Sequence, residues 1–581
     1  MAELDSSPKS LQTLYGWYAD GKLWVNRRYQ RKLVWTLEEK QKLIESVLER
    51  YPIPAILLAE REDGYEVIDG LQRLHTFMSF IETGFVTDDG RQFNVAEFPT
   101  ANSRATEGVF SQEEGQPLLS SREVGLFLDY SMAISVMRGA TDAEIDEVFG
   151  RINTYGHRLS DQERRQAGVQ NGFSELVREL SSSIRGDVSQ DVLQLADMPA
   201  ISIDLPMTRH GYQVAANEVF WVNQGILRST DLRDSMDEQC VADMAASIVG
   251  GSILPRSKVA LDNVYDDGSA ERDRIETALT SYGPAKFSAE FKYVIDQVRL
   301  ICDQTRLRSL LFSRMNTNPF PAMFAVLFIA LHELLIVEGK QIADIDGARE
   351  ALTGLDRRVE TSRGSTSPEE RRQNINTIKG LLSPLLVPVE HRDLYGDQTA
   401  TDVDEAIRRS EIETPHYELK QGILRLDSSK IIDPDIFAKL ICTICGIANN
   451  GPGRSGTLLL GVADKQADAE RVEQLYGIVP RKVGRRYVVG VRREADALGE
   501  TMEAYFGRLK TSIQGSDLSE PLKSGVLASL TFTDYFGLGI VIINVPPQSD
   551  VSTVAGSVFV RSGDSTVEVT GVDILAVARR F

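Results

Sequence analysis

Residues Tyr65 to His75 read YEVIDGLQRLH, and inside that stretch the hydrophobic pattern changes from that of a strand to that of a helix. The change falls at Asp69-Gly70. A chain that ends a strand and starts a helix within two residues has to turn tightly, and glycine is the residue whose backbone allows it. The helix start then offers amide N–H groups and the positive end of its dipole. Arg73, carried by the first turn beside Gln72, adds a two-pronged donor suited to phosphate oxygens. Asp69 is placed to hold a metal or a ribose hydroxyl. Taken alone such a turn is commonplace, so its surroundings decide what it means.

Upstream, Thr36-Leu37-Glu38-Glu39 forms a capping box that predicts a helix with Leu37, Leu43, Ile44, Val47 and Leu48 on its apolar face. Tyr51-Pro52-Ile53-Pro54 ends it, and two strands follow, Ala55 to Ala59 and Tyr65 to Ile68. Downstream, Thr141 and Glu144 make a second capping box before the run Val148 to Glu163. In this order, over roughly Leu14 to Gly168, these segments resemble the ParB-like family with a DGQQR motif, found in the nucleotide-dependent half of GmrSD-type modification-dependent restriction proteins. Tyr29-Gln30-Arg31 before Val34-Trp35, Asp69 to Arg73, and Asn153 to Leu159 carry the resemblance. Leu71 stands where the family has its first Gln, a departure that bears on base preference and on hydrolysis. The resemblance implies an α+β domain that binds an NTP of unspecified base through Gln30, Arg31, Asp69, Gly70, Gln72, Arg73 and Asn153. The nucleotide would sense or license action on DNA, with NTP hydrolysis left open.

A second constellation lies in Glu413-Thr414-Pro415-His416-Tyr417-Glu418-Leu419-Lys420, followed by an expected helix from Asp435 to Ile447, a Gly-rich loop from Ala448 to Gly456, and a buried strand from Thr457 to Asp464. Carboxylates converging from separate elements repel unless a divalent cation lies between them. Glu413, Glu418 and Asp464 with Lys420 therefore make the inventory of a metal-dependent phosphodiesterase using Mg2+ or Mn2+, with the three acids as metal ligands. Ordinary surface acids at strand ends are the plainer account, and spacing alone favours it. The stretch from roughly Glu405 to Phe581, however, resembles the Schlafen AlbA-type α/β domain. The shared pattern is Glu-x4-Glu-x-Lys, a helix ending in Ala448-Asn449, the Gly-rich turn, Gly461-Val462-Ala463-Asp464, and the closing strands Ile540 to Val545 and Val558 to Ser562. Many members of that family are binding modules that lack the first carboxylate. The presence of both Glu413 and Glu418 points toward a nuclease.

Within the same stretch Arg481, Lys482, Arg485, Arg486, Arg492 and Arg493 cluster around Tyr487, a backbone-tracking and stacking surface for nucleic acid. A solvated strand face competes with that reading. In a chain of net charge -20 the local positive patch carries more weight, and the acidic total argues against indiscriminate coating of nucleic acid.

A length of 581 residues calls for several domains. Residues 1–168 are expected to form the ParB-like domain, 169–391 a helical middle, and 405–581 the Schlafen AlbA-type domain, giving an α/β multidomain protein. Helices are expected over Phe173 to Ser183, Val214 to Gly225, Asp237 to Val249, Ile275 to Ser281, Ala289 to Leu307 and Pro321 to Val337, with an exposed segment from Asp356 to Arg372 and a linker from Arg392 to Asp402. Phe320 to Val337 is the most apolar stretch, but it contains Pro321, His332 and Glu333 and reads as a buried helix rather than a membrane span. Met1 to Ser10 shows no signal peptide, and four cysteines in this length do not make a disulfide framework. The sequence thus points to a cytoplasmic bacterial anti-phage or restriction-type protein, with an NTP-sensing domain controlling a metal-dependent endonuclease. DNA is the favoured substrate; an RNA-cleaving nuclease acting on tRNA and a catalytically inactive DNA-binding regulator are the alternatives. The oligomeric state stays open, a homo-oligomer included.

Overall fold

The computed structural model describes residues 3–581 apart from 27–32, 34, 107–108, 111, 113–114, 156–159, 167–170, 187–191, 199, 203–212, 315, 361–366, 390–399, 411–415, 453, 563–564 and 572. The chain is mixed α/β and divides into two compact units: residues 1–288 with 301–390, and residues 289–300 with 391–581. The segments expected as N-terminal domain and helical middle therefore fall in the first unit, apart from residues 289–300 and 391.

The first unit is organised by a six-stranded sheet in the order β1-β5-β3-β4-β2-β6, where β1 is Glu3–Ser10, β2 Leu23–Asn26, β3 Ile56–Arg61, β4 Gly64–Asp69, β5 Ser131–Arg138 and β6 Val192–Gln194. Four helices cover one face: α1 (Leu11–Ala19), α2 (Leu37–Leu48), α3 (Leu71–Ile81) and, after the short α4 (Pro99–Thr106), α5 (Ser121–Leu128). Strand alternation sends Val25, Leu58, Val67 and Ile134 into that face, where they meet Leu14, Ile44, Leu74, Phe77 and Phe127. Each such side chain contributes about 1.5–3 kcal/mol on burial. The capping box at Thr36 and Glu39 forms as expected and fixes where α2 begins. The opposite face is smaller: Ala59, Ile68 and Met137 pack on Ile145, Val148 and Phe149 of α6 (Asp142–Tyr155), whose start is capped by Thr141 and Glu144. A buried carboxylate, Glu82, closes the end of α3. It accepts from Tyr15 at 3.1 Å and from Tyr18 at 3.2 Å. It also pairs with Arg104 at 3.0 Å. These partners satisfy a charge that would otherwise be costly inside the core.

Glu3–Ser10, for which no element is expected from the sequence, forms β1, an edge strand; its exposed and half-buried side chains leave no periodic signal, and Pro8 is tolerated because an edge strand has one unpaired side. Two expectations change. The helix expected over Val214 to Gly225 shrinks to Phe220–Asn223 after a short strand, Gln213–Ala215, because Phe220 and Trp221 are adjacent anchors that both pack on Phe324 rather than residues at helical spacing. The segment expected to be exposed from Asp356 to Arg372 contains the start of a helix, Pro368–Leu382; Arg371 is buried against Asp243, at 2.7 Å, and the Leu254 carbonyl. Paired charges can be interior, and composition does not show the pairing. The apolar stretch after Phe320 forms the buried helix Pro321–His332, and no described helix is long and apolar enough to cross a membrane.

The second unit is built on a four-stranded sheet in the order Tyr417–Lys420, Gly456–Leu460, Ile540–Val545, Leu530–Thr533, with the first pair parallel and the others antiparallel. Both faces are apolar. Leu458, Leu460, Val541 and Ile543 pack on Leu440 and Ile444 of the helix Ile436–Ala448 and on Tyr505 and Leu509. Leu459, Ile540 and Ile542 pack on Val403, Ile407, Val483 and Val488. The strand expected from Thr457 to Asp464 is interrupted at Gly461, whose φ of 103° turns Val462–Ala463 into a separate small sheet. Two buried polar side chains pin the loops around the sheet. Asn449 is bonded to Ser552 through both its amide oxygen, 2.8 Å from the backbone nitrogen, and its amide nitrogen, which also donates to Phe559. Glu494 accepts from the Ile423 amide at 2.8 Å, from the Leu424 amide at 3.0 Å and from Tyr505 at 2.6 Å.

Within this unit residues 289–300, part of the helix Pro284–Cys302, meet the helix Ala400–Arg409 through charged groups. Lys292 lies 2.8 Å from Asp402 and 3.3 Å from Glu405, Arg299 lies 3.0 Å from Asp404, and Asp296 accepts from Thr401. Burial pushes Asp296 up to about 6 and Glu405 up to about 7, against the pull of Arg299 and Lys292. These acids hold protons that the unfolded chain has released, so their contribution to stability is full below the ordinary carboxylate range and is lost as pH rises through about 6 to 7. Hydrogen exchange in residues 400–409 should accordingly be faster at pH about 8 than at about 5.5, after correction for intrinsic rates, and Glu405→Gln should flatten the difference.

Candidate functional site

The strand-to-helix turn at Asp69-Gly70 forms at the centre of the six-stranded sheet. β4 lies between β3, antiparallel, and β2, parallel, and delivers Asp69 at its end. Gly70 has φ 95° and caps α3 without a side-chain hydrogen bond to the helix start. A Cβ there would come within 2.8 Å of Ile56 Cγ1 and 3.2 Å of Arg73 Nη2. The position therefore needs glycine for space as well as for its left-handed backbone. Leu71 is buried in the main core and supplies packing rather than a polar group to the turn. Arg73 curls back across the turn: Nη2 donates to Asp69 Oδ2 at 2.9 Å and Nη1 to the Pro54 carbonyl at 3.1 Å. Its side chain is 13% exposed against 44% for Asp69, so the guanidinium lies sheltered beside a carboxylate that solvent reaches. Pro54 and Ile56 carry no signal in the sequence, because each matters through its backbone or shape rather than through a reactive group.

The helix α6 points toward the same place. Asp142 near its start meets Arg61, which also binds Glu66, whereas Ile145 one turn later packs with Ile68. The helix therefore runs in the direction of β4, toward the Asp69 end, and Asn153 lies two turns beyond Ile145 on its backbone. The side chain of Asn153, together with Gln30 and Arg31, falls outside the described residues. Gln72 follows Leu71 in the first turn of α3 and is half-buried.

In the second unit Glu418 and Lys420 share one face of the edge strand Tyr417–Lys420 and are ion-paired to each other. Arg561 closes on the same carboxylate at 2.9 Å and also donates to the Tyr417 carbonyl. The sequence shows Arg561 only as part of a strand; its place between Val560 and Ser562 carries no sign of a partner so distant in the chain. Asp464 follows the break at Gly461 and is bound by Arg486. In register Glu418 lies opposite Leu458, six residues before Asp464, and Glu413 falls outside the described residues. Among the described residues no group of three or more His, Cys, Asp or Glu could hold a metal ion. Glu418 and Asp464 are each paired with arginine or lysine, and the third acid of the expected set lies outside the described residues.

The basic segment forms a hairpin, Arg481–Val483 with Arg486–Val488. Arg481 stacks over Phe536 at 4.2 Å, Arg486 holds Asp464, and Tyr487 donates to Gln466 at 3.3 Å. Lys482 and Arg485 are exposed. Arg492 and Arg493 lie beyond the hairpin at the start of the helix Arg492–Leu498, where Arg493 is buried and donates to the Gln421 carbonyl at 2.7 Å.

Comparison with known proteins places one part of the chain. Residues 14–169 match the family model of the GmrSD restriction endonuclease, N-terminal domain. The matched span contains β2 to β5 and α2 to α6, hence the whole Asp69–Arg73 turn. No curated protein and no solved structure matches the chain. The match suggests a restriction or defence-type protein and does not extend to residues 405–581.

Gly70→Ala should cost about 1–2 kcal/mol from the left-handed backbone alone. Crowding of Ile56 adds a further penalty. Thermal unfolding of the full chain reads the loss. A variant that melts with the wild type would show that the turn relaxes freely, and the geometry described for Asp69 and Arg73 would not be the one the protein enforces.

Proposed function

We propose that the chain is a restriction-type defence protein whose N-terminal domain binds a nucleoside triphosphate at the Asp69–Arg73 turn, and that the nucleotide controls action on nucleic acid by the C-terminal unit. The observation that carries this reading is the turn itself, inside a span similar to the N-terminal domain of a restriction endonuclease. The left-handed Gly70 sets the start of α3, whose N-cap residue offers its amides no side-chain partner, beside the end of β4, and Arg73 supplies the charge for phosphate. Gln30, Arg31, Gln72 and Asn153 complete the nucleotide site in this reading. The buried Leu71 removes one polar group from the turn, which bears on hydrolysis and leaves the binding elements in place.

For the C-terminal unit, DNA is the favoured target, reached through Arg481, Lys482, Arg485, Arg486 and Tyr487, with RNA as the competitor. Cleavage would rest on Glu413, Glu418, Asp464 and Lys420, and the similarity of residues 14–169 to the N-terminal domain of a restriction endonuclease supports assigning cleavage to the protein. A second reading, a nucleic-acid-binding regulator, is favoured by the ion pairs that already occupy Glu418 and Asp464. The two readings differ in what the acids do, and share the basic hairpin.

Arg73→Ala should weaken NTP binding by roughly tenfold to a hundredfold, the value of one charge-assisted two-pronged contact of about 1.5–3 kcal/mol. Calorimetry on the full chain measures this; equal affinity in the variant would remove the turn from consideration. With labelled DNA or RNA and Mg2+ or Mn2+, Glu418→Ala should abolish cleavage while leaving binding. Cleavage by this variant at the wild-type rate would take these acids out of catalysis.

A further inference from the structure

Three arginines of the first unit adjoin one another with no acid to pair with them. Two segments bring them together: the Phe320 amide donates to the Ile226 carbonyl at 3.0 Å, and the Arg308 amide donates to the Gln224 carbonyl at 3.1 Å. Arg308, in the short helix Leu307–Leu311, is the fixed member. Its guanidinium donates to the Asn316 carbonyl at 2.6 Å, to the Asn318 carbonyl at 3.0 Å and to the Gly225 carbonyl, and it lies over the Phe320 ring, 5.4 Å from the ring centre. Gly225, with φ 78°, makes way for it, since a Cβ there would fall 2.5 Å from Arg308 Nε. Arg228 reaches the same loop and donates to Asn318 Oδ1 at 3.4 Å. Arg306 stands two residues before Arg308 and, like Arg228, is exposed.

Among the described residues none of the three guanidiniums is ion-paired to a carboxylate. Asp231, close by in the chain, accepts instead from the backbone amide of Arg228 at 2.8 Å. Burial, and then the like charges of Arg228 and Arg306, hold Arg308 below the usual arginine range. In a chain with 84 acidic against 64 basic side chains, such a place keeps positive potential against the trend of the whole surface. An anion lying across the three relieves their repulsion, and the guanidinium fork matches phosphate oxygens. Arg228 and Arg306 come from separate segments with no common partner drawing them together, an arrangement that suits successive phosphates of a polyanion rather than one small ion.

We propose that Arg228, Arg306 and Arg308 form a nucleic-acid contact on the first unit, in addition to the basic hairpin of the second, and that it takes neighbouring phosphates of a DNA backbone. Arg228 and Arg306 touch the phosphates, and Arg308 fixes the two loops and adds its charge. Contacts of this kind supply affinity and register on the duplex, not sequence preference. The proposal shares with the reading of the C-terminal unit only that the protein binds DNA, and it is independent of the nucleotide turn.

The test is titration of labelled duplex DNA with the full-length chain, read by fluorescence anisotropy over a series of salt concentrations in EDTA, where no cleavage intervenes. Arg228→Gln combined with Arg306→Gln should weaken binding about tenfold at low salt and lower the slope of log affinity against log salt by about 1.8, two phosphate contacts at about 0.9 each. Both side chains are exposed and Arg308 is left in place, so the variant should melt with the wild type; Arg306→Gln alone, with about half the change in slope, serves if it does not. Lys482→Gln with Arg485→Gln in the hairpin is the comparison. A wild-type slope in the arginine variant, with loss in the hairpin variant, overturns this surface and leaves the hairpin standing. Calorimetry with inorganic tripolyphosphate separates a backbone from a free polyphosphate: binding as tight as that of DNA, and lost in the same arginine variant, overturns the assignment to nucleic acid. Failure of the wild type to bind duplex DNA overturns this surface and the hairpin together.

Discussion

The six-stranded sheet and its candidate site depend on one backbone constraint, the left-handed conformation of Gly70 between a central strand and the helix that covers it. With β4 flanked by strands on both sides and α3 packed through Leu71, Leu74 and Phe77, neither element can shift to ease the turn. The chain must reverse in one residue, and the neighbouring Ile56 leaves no room for a side chain there. The same constraint sets Asp69 and Arg73 facing each other across the turn. Packing energy on the sheet's helical face thus becomes local geometry at its end.

The C-terminal unit solves a different problem. Its sheet is apolar on both faces, and the loops that close it carry many backbone groups that need partners. Asn449 and Glu494, both fully buried, satisfy several of them at once. Asn449 is the second residue of the Ala-Asn pair at the helix end and Glu494 directly follows the basic segment, so the pattern alone does not separate fold-holding polar residues from chemical ones. Glu418 shows the same ambiguity from the other side: a carboxylate chosen for metal chemistry is held between Lys420 and Arg561.

Much of this was legible in the sequence where signals were local. The capping boxes at Thr36 and Thr141, the strands expected over Ala55 to Ala59 and Tyr65 to Ile68, and the Asp69-Gly70 turn all depend on residues within a few positions of each other. What escaped depended on distant partners. The edge strand Glu3–Ser10 has meaning only beside Ser131–Arg138, and Arg371 is buried only because Asp243 meets it. The strand break at Gly461 follows from close approach to Gly490, 3.2 Å from where a Cβ would stand. The turn itself was readable, but the return of Arg73 onto Asp69 and Pro54 was not, since i to i+4 spacing allows that pairing without requiring it.

The central claim is that triphosphate is held at the start of α3. Hydrogen exchange on the full chain, with and without Mg2+ and nucleoside triphosphate, tests it most directly, because the first-turn amides of α3 change partner on binding. The account predicts slowed exchange concentrated in residues 69–75, with β1 and α5 unchanged. Nucleotide that binds while protecting a different segment and leaving residues 69–75 as they were would contradict it.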